Sequence, residues 1–285
     1  MSALGDFMIK RVAFLFDEKK EYNLEIIKKA VSVFADCGIQ IFLSLRMKNY
    51  IENENVVFFN DVNGAISNSD IAIVFGGDGS IIYFSKLCAK FNKPVLGINT
   101  GKMGFLSSVE KDELDKLKCL SEGNYLVENY FLIETKRNKK TFFALNEISI
   151  VRNSLSRMMN FEIYKSGEKI MSFRADGVIV ATPTGSTAYS FSSGGPIIDN
   201  DANCVVITPI CPHEISCRPI VLSCNQEISI KIQGEGVLSA DGVGNFAELN
   251  SEMINIKKAD FMAGFIRFSK NHMYKNIEKK ILKRG

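Results

Sequence analysis

Residues 71–80 read IAIVFGGDGS, and this stretch decides the fold. Its first five residues are apolar without a helical period, which predicts a buried strand of a parallel sheet. Apolar residues at helical spacing over 80–91 predict a helix directly after the glycines. Ligands of open α/β sheets bind where strands end, and glycines there let the backbone approach phosphate oxygens. Gly76, Gly77 and Gly79 are therefore candidate phosphate contacts.

The same residues also fit a purely structural turn, in which a glycine takes a positive φ and Asp78 or Ser80 caps the helix. The two common phosphate motifs are missing. No glycine follows the first strand at 11–16, and residues 97–102 lack the spacing and hydroxyl of a P-loop. Beside a helix N-terminus, Asp78 should be ionised and able to orient a ribose hydroxyl, taking its proton late in a phosphoryl transfer.

Short apolar strands alternate with helices on both sides of this stretch. We predict strands at 11–16, 39–45, 56–59, 71–75 and 95–98, and helices at 23–37 and 80–91. This alternation favours a parallel sheet built from βαβ units. Beyond about residue 120 the pattern changes to antiparallel strands, predicted at 142–151, 161–164, 177–181, 204–208, 228–232 and 261–268, with a hairpin turn at 165–168.

These patterns predict an α/β plus all-β protein. The α/β nucleotide-binding domain with the parallel sheet covers residues 1–120, and a domain of antiparallel strands covers 121–268. Residues 269–285 complete the chain, and an amphipathic helix at 272–282 is predicted to pack back on the first domain.

The composition is that of a folded protein, with 46% hydrophobic and 24% charged residues. A net charge of +3 is too small for nucleic-acid binding, and the basic residues over 279–284 are typical of a solvated helix face. Seven cysteines without a C-x-x-C pair indicate reduced thiols. No signal-peptide pattern and no long apolar segment occurs. We therefore expect a cytoplasmic protein with no nucleic-acid or membrane partner.

Two further segments are candidates for dinucleotide contact. Residues 176–190, DGVIVATPTGSTAYS, lead from an apolar strand into hydroxyls, small residues and Tyr189, which suit a dinucleotide; a flexible surface loop is the alternative. Asn146 and Glu147 interrupt an apolar strand, where polar groups are costly without partners. They are either an outward-facing edge pair or contacts to adenine or ribose.

Five motifs spread over most of the chain carry a resemblance. They are GGDG at 76–79, GIN at 97–99 with GFL at 104–106, NE at 146–147, the run over 176–198, and RPIV at 218–221. In this order and spacing they resemble NAD kinases of the bacterial type, most specifically through TPTGSTAY at 182–189. The resemblance implies that residues 121–268 form a β-sandwich domain that binds NAD and that the active site lies between the two domains. It also implies NAD and ATP as substrates, with polyphosphate left open as a second phosphoryl donor, and Mg²⁺ or another divalent cation delivered with ATP. It also implies a homodimer or homotetramer whose active site is shared between subunits.

The resemblance also implies roles for single residues. Asp78 looks like the catalytic aspartate, with no residue assigned to a metal. The residues that look like cofactor contacts are Gly76, Gly77, Gly79, Phe105, Asn146, Glu147, Asp176, Thr184, Thr187, Ala188, Tyr189, Ser192 and Asp241. Among them, Asp176 resembles a residue that reaches the nicotinamide end from a neighbouring subunit. Glu214 and the loop 242–245 depart from the family pattern, and the direction of their effect on cofactor discrimination stays open.

Two alternatives belong to other functional classes. The GGDG motif also occurs in lipid kinases of the diacylglycerol type, although no amphipathic membrane-surface segment is evident here. A non-catalytic sensor that binds NADP(H) is the second alternative, although no cysteine lies in an electropositive motif. Turnover separates the classes, because a sensor binds dinucleotide without consuming ATP.

Overall fold

A computed structural model describes residues 3–4, 8–17, 24–101, 104–153, 157–242, 246–270, 274 and 277–278. The chain divides into two compact units, one formed by Met1–Asn129 with Ala263–Gly285 and the other by Tyr130–Met262. The sequence predicts domain limits at residues 120 and 268, and that division stays a prediction. The helix predicted over 272–282 lies almost wholly outside the described residues.

The first unit is built around a parallel sheet. Its strands are β1 (Ala3–Leu4), β2 (Arg11–Phe16), β3 (Gln40–Ser44), β4 (Val56–Phe59), β5 (Ile71–Phe75), β6 (Val95–Asn99), β7 (Val109–Glu110) and the start of β8 (Leu126–Arg137). Its α-helices are α1 (Leu24–Asp36), α2 (Val62–Asn68) and α3 (Asp78–Ala89), with 3₁₀ turns at Leu45–Met47 and Leu114–Leu120. The strands lie parallel in the order β6-β5-β2-β3-β4. The predicted parallel sheet is confirmed.

Buried apolar residues explain these elements. All five residues of β5 are buried, as expected for a strand covered on both faces. The buried residues of α1 recur every three or four positions, and Phe34 among them packs edge-on against Phe14 at a ring-centroid distance of 5.6 Å. Gly38 ends the helix region with φ +67°, a backbone conformation that glycine adopts without strain.

The second unit consists of antiparallel strands. They are the rest of β8, β9 (Lys140–Ala144), β10 (Glu147–Arg152), β11 (Met159–Lys165), β12 (Glu168–Ala175), β13 (Gly177–Ala181), β14 (Cys204–Ile210), β15 (Ile220–Ser223), β16 (Ile228–Gln233), β17 (Glu235–Ala240), β18 (Phe246–Asn250) and the start of β19 (Met253–Arg267). A 3₁₀ turn at Thr184–Thr187 leads into a short helix, α4 (Tyr189–Ser192).

Two sheets of this unit share one hydrophobic core. The first sheet has the order β15-β14-β13-β10-β17-β18, and the second contains β12-β11-β16 followed by the start of β19. Phe161 and Ile230 of the second sheet lie in the same buried cluster as Val178 and Ile207 of the first. This arrangement confirms the predicted β-sandwich.

Two local predictions have different outcomes. The hairpin turn at 165–168 is confirmed, because Ser166 and Gly167 both have positive φ between β11 and β12. A single strand over 142–151 is wrong, since β9 ends at Ala144 and β10 begins at Glu147. The amides between them donate to a side chain, as described below, and not to a neighbouring strand.

One ion pair at the start of the parallel sheet gives a pH-dependent prediction. The Asp70 carboxylate accepts hydrogen bonds from the backbone N–H groups of Lys10 and Arg11, at 3.0 and 2.9 Å, and from the Arg11 guanidinium at 2.8 Å. Burial by itself would raise the pKa of Asp70, but these hydrogen bonds outweigh it and lower the pKa below its ordinary value of 3.8. The stabilisation is therefore present above pH 3.8 and is lost as the pH falls through the folded-state pKa.

We predict that Asp70→Asn lowers the free energy of unfolding by about 1 kcal/mol at pH 7, measured by urea denaturation. The difference in stability from the unchanged protein should shrink as the pH falls below 3.8, because Asp70 becomes protonated first in the unfolded protein and then in the folded protein. Asp115→Asn is the control, because that carboxylate is 90% exposed and should leave stability unchanged. A difference that grows on acidification would contradict the prediction.

Candidate functional site

In the first unit, the glycine-rich turn places Asp78 at the first position of α3. Gly77 is the N-cap, and the N–H of Gly76 donates to the carbonyl of Ile98 at 3.0 Å. Gly76 has φ +155°, and a Cβ there would lie 2.8 Å from the side chain of Ser80. The turn therefore needs glycine at position 76, and it leaves the first N–H groups of α3 without partners in the helix.

Two backbone amides hold the Asp78 carboxylate. The N–H of Phe105 donates to Oδ2 at 2.7 Å, and the N–H of Leu106 donates to Oδ1 at 3.0 Å. A Cβ on Gly104 would overlap Oδ1 of Asp78, so this approach is open only to glycine. The structure thus brings Gly76, Asp78 and Phe105, all predicted from sequence, into one half-buried cluster.

The segment that supplies these amides is itself tied down. The N–H of Ser108 donates to the carbonyl of Gly97 at 2.9 Å. Arg267, which is 1% exposed, donates from Nη1 to the Leu106 carbonyl and to the Ser108 hydroxyl, each at 2.7 Å. Its Nε also meets Glu128 at 3.2 Å.

Sequence reasoning missed the supporting residues Ser108 and Arg267, and it named Gly104 only as part of the GFL motif, without a role. For Arg267 a signal was available. It is a charged residue within the apolar run predicted as a strand over 261–268, and a buried charge needs partners.

In the second unit, a carboxylate again gathers backbone amides. Asp241 accepts from the N–H of Leu145 at 2.9 Å, of Asn146 at 2.8 Å and of Glu147 at 3.2 Å, and its own N–H donates to the Glu147 carbonyl at 3.0 Å. Asp241 has φ +55°, so the chain bends sharply there. This bend holds Asn146 and Glu147 in a fixed corner, which we call the Asn146 corner and define as residues 145–147.

The hydroxyl-rich segment packs onto the Asn146 corner. Thr182, fully buried, donates from Oγ1 to the Leu145 carbonyl at 2.5 Å, and its N–H donates to the Asn146 carbonyl at 2.8 Å. A Cβ on Gly185 would overlap that same carbonyl oxygen. Ser190, also fully buried, shares a hydrogen bond of 2.8 Å with Thr208. Buried hydroxyls therefore build a fixed turn here, and the exposed-loop alternative is wrong.

The predicted dinucleotide contacts of this segment line its outer side. Thr184, Thr187 and Ala188 are half-buried, whereas Tyr189 and Ser192 are exposed. Partial burial, with smaller contributions from Cys211 and Glu147, raises the pKa of Tyr189 above its ordinary value. Its phenol therefore stays neutral at physiological pH and can both donate and accept hydrogen bonds.

Asp176 lies apart from the Asn146 corner. It precedes β13, whereas Thr182 follows the other end of that five-residue strand, which corresponds to about 20 Å along the backbone. Its Oδ1 pairs with Arg152 Nε at 2.8 Å. Glu214 accepts from the N–H of Arg174 at 3.3 Å, and residues 243–245 of the other departing loop lie outside the described residues.

The described ranges contain no group of three or more His, Cys, Asp or Glu side chains arranged to hold a metal ion. All seven cysteines lie within those ranges and are free thiols. Among the helices that the structure describes, none combines the length and apolarity needed to cross a membrane.

Comparisons with known proteins identify the family. Residues 12–125 match the model of the ATP-NAD kinase N-terminal domain, and residues 145–268 match that of the C-terminal domain. The NAD kinase of Caldanaerobacter subterraneus subsp. tengcongensis is 34% identical over 285 residues, which cover 97% of this chain and 100% of the relative. The chain belongs to the NAD kinase family. It is therefore a phosphotransferase, as the sequence motifs predicted.

Other relatives of this NAD kinase family member agree. The NAD kinase of Natranaerobius thermophilus is 31% identical over 282 residues, covering 96% of this chain and 98% of the relative. A solved NAD kinase from Archaeoglobus fulgidus, in complex with ATP, has a TM-score of 0.75 and 26% identity over 96% of this chain and 100% of that one. The structure of yeast NADH kinase in complex with NADH has a TM-score of 0.84 and 23% identity. The match covers 98% of this chain and 89% of that chain, and it supports the fold.

The Asn146 corner gives a stability prediction for this NAD kinase family member. Asp241→Ala should lower the free energy of unfolding by about 2 kcal/mol, because three amides lose their common acceptor. Urea denaturation followed by circular dichroism measures it. Ser239→Ala is the control, since it removes one exposed hydrogen bond of the same loop, to the Gly242 carbonyl. Equal effects of the two substitutions would contradict the role given to Asp241.

Proposed function

We propose that this NAD kinase family member transfers the γ-phosphoryl group of ATP to the 2′-hydroxyl of the adenosine ribose of NAD, with Asp78 receiving the hydroxyl proton. The observation that supports this role is the pair of amide hydrogen bonds that orient the Asp78 carboxylate at the start of α3. In the transfer, the O2′–H proton passes to Asp78, a bond forms between O2′ and the γ-phosphorus, and the bond from that phosphorus to ADP breaks.

The hydrogen bonds of Asp78 leave its carboxylate able to accept the proton of the ribose hydroxyl. An ionised carboxylate has roughly four acceptor positions, and the amides of Phe105 and Leu106 use one on each oxygen. The remaining positions can accept a ribose hydroxyl in a fixed direction. Fixed direction matters because general-base transfer needs the two oxygens within about 3 Å of each other.

The turn before Asp78 suits phosphate. Gly77 and Gly79 carry no side chain, and a Cβ at either would meet no atom within 4 Å, so backbone N–H groups at the start of α3 are open to a bulky anion. The macrodipole of this twelve-residue helix adds attraction for negative charge. We assign Gly76, Gly77 and Gly79 to the triphosphate.

The Asn146 corner and the segment beside it are assigned to the adenosine half of NAD. Asn146 and Glu147 supply a carboxamide and a carboxylate, and Tyr189 supplies an aromatic face that is 41% exposed. Thr184, Thr187, Ala188 and Ser192 complete this set, and Phe105 stays a predicted contact. Asp241 acts by holding the corner, because its carboxylate is already occupied by three amides.

Four further features belong to the proposal. ATP is the donor, which the ATP complex of the Archaeoglobus relative supports. Magnesium arrives as part of the ATP substrate. Asp176, which is distant along β13 from the Asn146 corner, serves a neighbouring subunit of a homodimer or homotetramer. The free thiols support a cytoplasmic location.

Family membership removes the lipid-kinase alternative, since both halves of the chain match NAD kinase domains. No observation on the described residues favours a non-catalytic sensor. Turnover of ATP remains the measurement that separates a sensor from an enzyme.

We predict that Asp78→Asn lowers kcat by a factor of about 10² or more while NAD binding is retained. Asparagine has nearly the same shape but cannot take the proton. The assay supplies ATP, magnesium and NAD and detects NADP with an NADP-specific dehydrogenase, while calorimetry measures NAD binding.

Asp61→Asn is the control for this prediction, because Asp61 caps α2 and lies outside the proposed site. It should keep normal turnover. Near-normal turnover of the Asp78→Asn protein would remove Asp78 from its proposed role, and absence of NADP from the unchanged protein would favour the sensor.

We further predict that Gly104→Ala lowers kcat by about tenfold or more, with a smaller change in the KM for NAD. The added methyl group displaces the Asp78 carboxylate from its two amides and leaves the second unit unchanged. Steady-state kinetics in the same assay measure both constants. A rise in KM without a fall in kcat would show that Gly104 matters for binding and not for the orientation of Asp78.

A further inference from the structure

A buried arginine lies directly behind the amides that hold Asp78. Arg267 is 1% exposed and belongs to the last residues of β19, in the same unit as α3. Burying a guanidinium is costly unless its donors find partners, and Arg267 has three: the Leu106 carbonyl, the Ser108 hydroxyl and the Glu128 carboxylate. Its cationic group also lies 5.2 Å from the centre of the Phe265 ring.

The contact with Leu106 connects Arg267 to Asp78. Arg267 Nη1 holds the carbonyl of Leu106 at 2.7 Å, and the N–H of the same residue donates to Asp78 Oδ1 at 3.0 Å. Only the φ and ψ rotations of one residue separate the two hydrogen bonds. Since the Leu106 side chain is also buried, the residue has little freedom to rotate. The direction of its N–H therefore depends on the guanidinium.

The Ser108 hydroxyl extends this connection. It accepts from Arg267 Nη1 at 2.7 Å and donates to the carbonyl of Ile266 at 2.6 Å, so it links the segment to the backbone of β19 at a second point. Glu128 has a different place in the network. It meets Arg267 at Nε, 3.2 Å away, and makes the contact that neutralises the buried charge.

We infer that Arg267 is a positioning residue for phosphoryl transfer, which fixes the backbone of Leu106 so that its N–H keeps the Asp78 carboxylate in the reactive direction. This inference rests on the proposed function of Asp78. A guanidinium suits the task because its donors lie in one plane: Nη1 donates to two acceptors and Nε donates to a third. A lysine ammonium group on a flexible side chain would hold these three acceptors less rigidly. The role that we assign to Arg267 involves no contact with the substrates or with the reacting atoms.

The first test compares kinetic constants of single substitutions. Arg267→Lys should lower kcat about tenfold and Arg267→Met more, with the KM for NAD changed less than about threefold. Glu128→Gln is the matched control. It removes the charge partner from Nε, leaves the Leu106 contact in place, and should lower thermal stability with kcat unchanged. Should Arg267→Met fail to fold, Arg267→Lys and Ser108→Ala carry the test, each with a fall in kcat.

The second test is a double-mutant cycle with Asp78→Asn, measured as kcat for NADP formation. If Arg267 acts through Asp78, Arg267→Lys should change kcat less than about twofold once Asp78 is asparagine. The same fold-loss in both backgrounds, or a loss of stability with kcat unchanged in Arg267→Lys, would overturn the inference and leave the role of Asp78 standing. Near-normal kcat of Asp78→Asn alone would overturn the proposed function, and the inference with it.

Discussion

Backbone amides that leave the regular hydrogen bonding of a sheet or helix must find acceptors, and this requirement shapes both units of the chain. In each unit one aspartate meets it. Asp78 accepts from the amides of residues 105 and 106, and Asp241 accepts from those of residues 145, 146 and 147. An ionised acceptor makes such hydrogen bonds about twice as strong as neutral ones. The bends at which the candidate functional residues lie are therefore held by hydrogen bonds within the protein.

Close approach of this kind restricts the neighbouring residues to glycine. Gly104 leaves room for the Asp78 carboxylate, and Gly185 leaves room for the Asn146 carbonyl. Neither glycine is among the residues with positive φ, so backbone conformation does not explain why glycine is needed at these two positions. Their role is to omit a side chain where two polar groups must touch. Phosphoryl transfer requires rigid, preorganised polar groups, because the protein contributes mainly positioning and charge stabilisation to this reaction.

The sequence was most informative where periodicity and turn chemistry act locally. The run 71–80 predicted β5, the glycine turn and α3, and the limits agreed to within two residues. The Ser166–Gly167 hairpin also followed from local chemistry. The strand predicted over 142–151 was wrong, because Asp241, about one hundred residues later, accepts hydrogen bonds from the amides at the break between β9 and β10. No local pattern contains that information.

By itself the sequence determined the parallel sheet and the change to antiparallel strands, since these depend on apolar periodicity. Its motifs of fixed spacing indicated the family, and the β-sandwich followed from that resemblance. The sequence also singled out Asp78, Asn146 and Glu147 by their chemistry. Only the tertiary structure decided how these residues are held: which amides surround each carboxylate, why Gly104 and Gly185 must be small, and why an arginine is buried at position 267. The physical reason is that hydrogen bonds to backbone groups depend on where the chain passes in space. Every residue except proline has the same backbone amide, so the sequence does not indicate which acceptor a given amide will bind.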